Sequence, residues 1–301
     1  MDRRTFIKST AAASVGSLLL QSGCRGEDGE ARGEPPQTQE HSTMVSGGRT
    51  LERIGLQLYT IRSVLRDDVD GVLGKVAEMG YDEVELFNFT AEGYYGKSPA
   101  EMRALLEQLG MTTPATHVSM QPLRDNLDGL IEAAHTIGHQ YLICPWLAPD
   151  DRRTIDDYKR HAAFFNEVGR KCREAGIRFG YHNHDFEFKA IDGRIPYDVL
   201  LDETDASLVM MEMDLYWIIK GGQDPLAYFE RHPGRFHLCH VKDMAGGETM
   251  VDVGQGDIDF ASIFAQSEQA GLIHYFVEHD NPEDPLRSIE TSYTFLKQLQ
   301  F

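Results

Sequence analysis

From residue 51 onward, short runs of apolar residues alternate with longer stretches in which apolar positions recur every three or four residues. A short apolar run reads as a buried strand, and a spacing of three to four reads as a helix with one face turned to a core. Strands are expected at residues 54–59, 83–87, 113–118, 141–144, 178–182, 208–214, 236–241 and 275–278. The intervening stretches carry helix start and stop signals. Ser98-Pro99-Ala100-Glu101 supplies an N-cap, a proline in the first turn and a glutamate placed for a capping box, and Gly110 ends that helix. Asp224-Pro225 and Asp284-Pro285 repeat the cap-then-proline signal. Between residues 154 and 175, Ile155, Tyr158, Ala162, Phe165, Val168 and Cys172 fall on one helical face. Leu286, Ile289, Tyr293, Leu296 and Leu299 do the same near the end.

Strands that alternate with helices imply a parallel α/β architecture. Eight such units in about 250 residues predict a single-domain (β/α)8 TIM barrel over residues 51–301. An open doubly wound sheet would need a glycine-rich loop after the first strand. The chain instead runs on through Gln57-Leu58-Tyr59-Thr60-Ile61-Arg62.

The N-terminal residues differ from the rest. Met1-Asp2-Arg3-Arg4-Thr5-Phe6-Ile7-Lys8 resembles a twin-arginine export signal, and residues 10–20 form an apolar stretch too short to span a bilayer. Gln21-Ser22-Gly23-Cys24 resembles a lipoprotein cleavage box, with Gln21 where leucine is usual. Residues 1–24 are therefore expected to be a signal peptide with a lipobox-like end. Residues 25–50, almost without apolar side chains, are expected to be a disordered linker. The expected location is the periplasm, with membrane contact only through the signal or a lipid on Cys24. The other cysteines, Cys144, Cys172 and Cys239, show no paired spacing and read as buried thiols. Acidic residues number 48 against 29 basic ones, a formal charge of −19, which repels nucleic acid at long range.

Barrel enzymes carry their sites at the C-terminal ends of the strands. There the sequence places Glu85, His117, the run from Tyr181 through His182, His184 and Glu187, then Glu212 and Asp214, His240 through Asp243, and Glu278 through Asp280. Buried carboxylates are costly and repel one another, and a divalent cation resolves that repulsion. Mixed imidazole and carboxylate ligands suit Mn²⁺, Zn²⁺, Fe²⁺ or Co²⁺ better than Ca²⁺. HExxH, P-loop and GxSxG motifs are absent, and Gly254-Gln255-Gly256 reads as a turn. Glu212, on the same face as Asp214, is expected to support a ligand and pair with Lys242. His279 and Asp280 are left open between site and rim. His237 and His274, at strand starts, read as structural, and Met210, Met211 and Met213 as barrel packing.

The ordered set Ile54 to Thr60, Tyr181 to Phe188, Met213 to Trp217, His240 to Asp243 and Val277 to His279 resembles the xylose-isomerase-like barrels, specifically the sugar phosphate isomerase/epimerase group. The resemblance implies one Mn²⁺-like ion held by residues on strands five to eight. Asp214, His240 and Glu278 match the last three ligands, and His182 stands where the ketose epimerases have a glutamate. It also implies a histidine where this chain has Trp217.

These residues suggest proton abstraction next to a carbonyl, through an enediolate. Glu278 is the expected carboxylate base, with His182 or His184 on the other face of the substrate and Glu187 in reserve. Glu85, His117, Glu187 and Lys242 are expected to contact a small sugar or keto-sugar, and Trp217 to pack on its apolar face. The leading expectation is a sugar isomerase or epimerase. The alternatives are a 3-keto-glycoside lyase or hydratase using the same metal, and a non-catalytic periplasmic sugar-binding barrel. A repair endonuclease is opposed by the acidic chain. No arginine cluster for a phosphate is evident.

Overall fold

The computed structural model describes residues 48–301. The expected signal peptide and nearly all of the expected linker lie outside them. Arg49 is already tied down: its amide and carbonyl exchange hydrogen bonds with Phe301 at 2.8 and 2.9 Å. No helix among the described residues is long and apolar enough to cross a membrane.

Eight parallel strands close into a barrel. They are β1 (Gly55–Gln57), β2 (Glu83–Leu86), β3 (Thr112–His117), β4 (Tyr141–Cys144), β5 (Arg178–His182), β6 (Val209–Asp214), β7 (Phe236–Val241) and β8 (His274–Val277). All eight fall where the apolar runs predict, with ends shifted by at most two residues. β1 pairs with both β2 and β8, which closes the sheet. A two-stranded antiparallel hairpin, Asp243–Ala245 with Thr249–Val251, follows β7.

The helices begin where their caps dictate. Ser98 accepts from the Glu101 amide while Glu101 accepts from the Ser98 amide, so two otherwise unpaired donors are satisfied reciprocally. Thr154 and Asp157 build the same box at the start of the Ile155–Glu174 helix, whose six expected apolar residues are all buried. Asp224 and Asp284 cap the helices that open with Pro225 and Pro285. Cys144, Cys172 and Cys239 are free buried thiols.

The lower half of the lumen is an apolar plug of Ala115, Tyr141, Ile143, Met210, Leu238 and Phe276. Space for these rings comes from glycines on neighbouring strands. A Cβ at Gly55 would meet the Phe276 ring at 2.4 Å, and one at Gly180 would meet the Met210 sulfur at 2.7 Å. Overpacking of this kind costs about 1–3 kcal/mol. Gly55→Ala is therefore expected to lower Tm by several degrees in a thermal melt, and an unchanged Tm would mean the lumen relaxes freely around Phe276.

Candidate metal centre

Side chains two residues apart on a strand face the same way. On β6 the inward series is Met210, Glu212, Asp214. On β7 and just beyond it is Leu238, His240, Lys242, and on β8 and just beyond it is Phe276, Glu278. The apolar plug thus gives way to two successive tiers of ionisable groups.

The upper tier gathers one ligand atom each from His182, Asp214, His240 and Glu278, all within 4.8 Å of one another and all buried. These are the four side chains that the sequence and the family resemblance single out. Asp214 is held by its own helix. Its Oδ1 accepts from the Trp217 amide at 2.9 Å, capping the Leu215–Lys220 helix, which leaves Oδ2 for the site. Asn183 clamps the same corner: its Oδ1 accepts from the Asp214 amide at 3.1 Å. His182 Nε2 lies 3.2 Å from Asp214 Oδ2, while its Nδ1 faces the Pro145 carbonyl at 3.3 Å. Lys242 Nζ stands 2.9 Å from Asp214, 2.7 Å from Glu278 and 2.8 Å from Asp280. Three carboxylates against one ammonium leave a surplus of negative charge that a divalent cation would offset.

The donor set passes a geometric test for a cation. His240 Nδ1 and Glu278 Oε2 stand 2.7 Å apart without an aligned hydrogen bond, and Lys242 Nζ lies 2.7 Å from the same Glu278 oxygen. Buried imidazole and carboxylate donors gathered on one point are a ligand set that a divalent cation takes.

The lower tier is Glu85, His117, Glu212 and the opposite edge of His240. His117 Nε2 is hydrogen-bonded to Glu212 Oε2 at 2.7 Å, and His240 Nε2 to Glu85 Oε2 at 2.7 Å. Gln57 Nε2 donates to the same Glu85 oxygen at 2.7 Å. The His117 and His240 rings stack with centroids 5.2 Å apart. The expected pairing of Glu212 with Lys242 is not found. Lys242 lies one tier higher, and Glu212 pairs with the two imidazoles instead.

Electrostatics separates these groups. Burial pushes Glu278 up, but Lys242 and then His240 outweigh it and hold the carboxyl well below its usual range. Burial, reinforced by His240 and His117, holds His182 well below the usual histidine range. Burial and then His182 do the same to His184, so both are neutral imidazoles. Burial and the Glu212 charge raise Glu85, whereas His240 and His117 outweigh burial at Glu212 and lower it.

Above the tiers opens a cleft of about 380 Å³ lined by His117, His182, His184, Lys242, Glu278 and Asp280, with Tyr59 and Trp146 exposed on its walls. Of the residues expected to meet substrate, Glu85, Glu187 and Trp217 do not line it. Glu85 belongs to the lower tier. Trp217 packs beside His184, centroids 5.5 Å apart, and near the Lys242 ammonium. Glu187 is fully buried behind the cleft wall, accepting from the Tyr181 hydroxyl and from the His184 amide. Tyr59, Trp146 and Asn183 had no role assigned from sequence. Trp146 carried a signal, an aromatic two residues past β4. Asp243, the last acid of the strand-seven run, is structural: its carboxylate accepts from the Gly254 and Gly256 amides at 2.9 Å each and pins the glycine turn.

A closed parallel barrel with imidazoles and carboxylates gathered past its strand ends defines a (β/α)8 barrel whose chemistry sits at the carboxyl face. The sequence profile described as xylose isomerase-like TIM barrel matches residues 73–299, and the chain belongs to that family. Among solved structures, a sugar phosphate isomerase/epimerase from Parabacteroides distasonis superposes with a TM-score of 0.72 at 28% identity, covering 82% of this chain and 98% of that one. A second from the same organism gives 0.71 at 25% identity, covering 87% and 98%. An inosose dehydratase from Lacticaseibacillus casei is 26% identical over 158 residues, 46% of this chain and 52% of that protein. The chain thus spans about half the length of the curated relatives it matches.

Glu187 gives a pH test of the site's supporting wall. Burial pushes its carboxyl up to about 7 against the pull of Tyr181 and the His184 amide. An unfolded glutamate titrates near 4.3, so on raising the pH the unfolded chain releases this proton first and folding loses stability through the window between the two values. The loss is about 3 kcal/mol between about pH 4 and pH 8. In urea titrations Glu187→Gln should remove that share of the slope, and parallel wild-type and variant profiles would contradict the shift.

Proposed function

We propose that this protein is a divalent-metal-dependent enzyme that removes a proton next to the carbonyl of a small sugar-derived ketone. The observation that carries the reading is the upper tier: one donor atom each from His182, Asp214, His240 and Glu278 lies within 4.8 Å of the others, beneath the cleft. The four would hold the cation. When bound, it would polarise the substrate carbonyl and offset the charge of the enediolate. The mixed donors suit Mn²⁺, Zn²⁺, Co²⁺ or Fe²⁺.

Glu278 is the one carboxylate of that quartet that lines the cleft, and its neighbours keep it ionised, so it takes the proton from carbon. The electron pair of the broken C–H bond moves onto the carbonyl oxygen. Lys242, cationic and lining the same cleft, faces that developing charge. Isomerisation or epimerisation then requires a second group to return a proton to a different position or face. His184 lines the cleft as a neutral imidazole with its Nδ1 buried and unpartnered, so it would serve as a relay, one ring nitrogen giving its proton to the enediolate as the other takes one from water. His182 instead belongs to the candidate ligand set, its Nδ1 facing the Pro145 carbonyl and its Nε2 lying beside Asp214 Oδ2.

A second reading, β-elimination from a 3-keto-glycoside, is favoured by one specific feature. The epimerases' strand-five carboxylate is His182 here, while the Lys242 ammonium lies 2.7 Å from the Glu278 base. An ammonium beside the base can give a proton to a departing oxygen while the enediolate electrons expel it. The dehydratase names among the sequence relatives support the same outcome. For location we propose export by the twin-arginine route and a periplasmic barrel, with Cys24 as lipid attachment point, on the strength of Arg3-Arg4 and the apolar stretch after them.

Elemental analysis of purified wild type should give about one divalent ion per chain, lost in both Asp214→Ala and Glu278→Ala. Full retention in both would remove these residues as ligands. Incubation of a free ketose and of a 3-keto-glycoside, separately, in D₂O separates the chemical readings by proton NMR. Deuterium entry with a new epimer supports the first and aglycone release the second. Binding of either compound without exchange would make the barrel a sugar-binding protein and overturn both.

A further inference from the structure

His240 belongs to both tiers, and its two nitrogens face different partners. Nδ1 points to Glu278, at 2.7 Å, and Asp214, at 3.8 Å, whereas Nε2 points to Glu85, at 2.7 Å, and Glu212, at 3.4 Å. The contacts differ in kind. On the Nδ1 edge the close contact is not an aligned hydrogen bond, and the Glu278 oxygen there is already paired with the Lys242 ammonium at 2.7 Å. On the Nε2 edge the close contact is a hydrogen bond, and the neighbouring His117–Glu212 contact is another. The lower tier therefore closes on itself through aligned donor–acceptor pairs, while His240 Nδ1 has no aligned partner in the upper tier.

We propose that Glu85 and Glu212 are positioning residues that grip His240 through Nε2, so that Nδ1 is presented as a ligand at the upper tier. This rests on the metal centre described above. The physical reason is tautomeric. A neutral imidazole carries its proton on one nitrogen and a lone pair on the other, so a carboxylate accepting from Nε2–H leaves the lone pair on Nδ1 and fixes the ring plane. Both carboxylates are themselves anchored. Gln57 donates to the Glu85 oxygen that His240 uses, and His117 holds Glu212. All four anchoring side chains are buried, and Gln57, Glu85 and Glu212 are fully so. Solvent therefore cannot replace a lost partner without a cavity. The residues span β1, β2, β3 and β6, so the orientation of one ligand is set by half the strands of the barrel.

The competing assignment is that the lower tier is a cation site in its own right. It has four mixed donors within 4.8 Å, and Glu85 Oε1 and Glu212 Oε1 lack partners. The two assignments predict different stoichiometries. Titration of Mn²⁺ into the metal-stripped full chain, by calorimetry, should give one site in the wild type. Glu85→Ala and Glu212→Ala should each weaken that site about 10–100-fold. Glu85→Gln, whose amide oxygen still accepts from Nε2–H, should recover much of the loss. Because these variants could fail to fold, pulsed EPR on Mn²⁺-loaded wild type provides a second measurement. It should detect two coordinated imidazoles, His182 and His240. Two Mn²⁺ ions per wild-type chain, a third coordinated imidazole, or unchanged affinity in folded Glu85→Ala and Glu212→Ala would each overturn the proposal. Failure of the metal centre itself would look different, as no Mn²⁺ binding in the wild type.

Discussion

The structure turns on the cost of burying charge. At least seven ionisable side chains from six strands meet where water is excluded, and each would be expelled or neutralised if it stood alone. They persist because they are arranged by sign. The imidazoles of His117 and His240 interleave with Glu85 and Glu212, and Lys242 is wedged between Asp214, Glu278 and Asp280. The apolar plug beneath makes this arrangement rigid. Phe276 and Leu238 fill the lumen directly under the lower tier, so the charged groups cannot sink to better-solvated positions. Electrostatic surplus and mechanical support together make a site that could hold a cation.

The plan of the barrel was legible in the sequence because parallel strands, covered on both faces, read as continuous apolar runs bounded by caps. β5 and β7 match the expected bounds residue for residue, and the largest shifts, of one or two residues, fall at ends such as Gln57 and Val277 where a strand runs into a loop. The convergence of His182, Asp214, His240 and Glu278 was legible too, since each stands at a strand end in a barrel of predictable handedness. The lower tier was not. Glu85 and His240 lie 155 residues apart on strands three places apart around the barrel, and no local spacing encodes a contact between non-neighbouring strands inside a closed sheet. Glu187 and Trp217 also escaped, because each follows a strand end by three or more residues. There a loop or a short helix, rather than strand alternation, decides which way a side chain points.

Loops and site are not independent layers in this molecule. Asp243 shows it on one side. Its carboxylate gathers the amides of Gly254, Gly256 and Ile258, so the segment after the hairpin is sewn to the residue next to Lys242. Glu187 shows it on the other, where a buried carboxyl shapes the turn that carries His184. Structural carboxylates thus hold the polar side chains of the cleft in place from behind, and the cleft owes its lining to acids that do not line it.

Asp214 spends one oxygen on the first turn of a helix and turns the other toward His182 and Lys242. Such double duty narrows the chemistry tolerated at that position almost to a single residue. Asparagine would keep the reach to the Trp217 amide but surrender the charge. Glutamate would keep the charge but carry it one methylene past the cap. A substitution at this corner would therefore disturb the architecture of the barrel mouth and the charge of the site together, whereas one on the cleft walls would leave both standing.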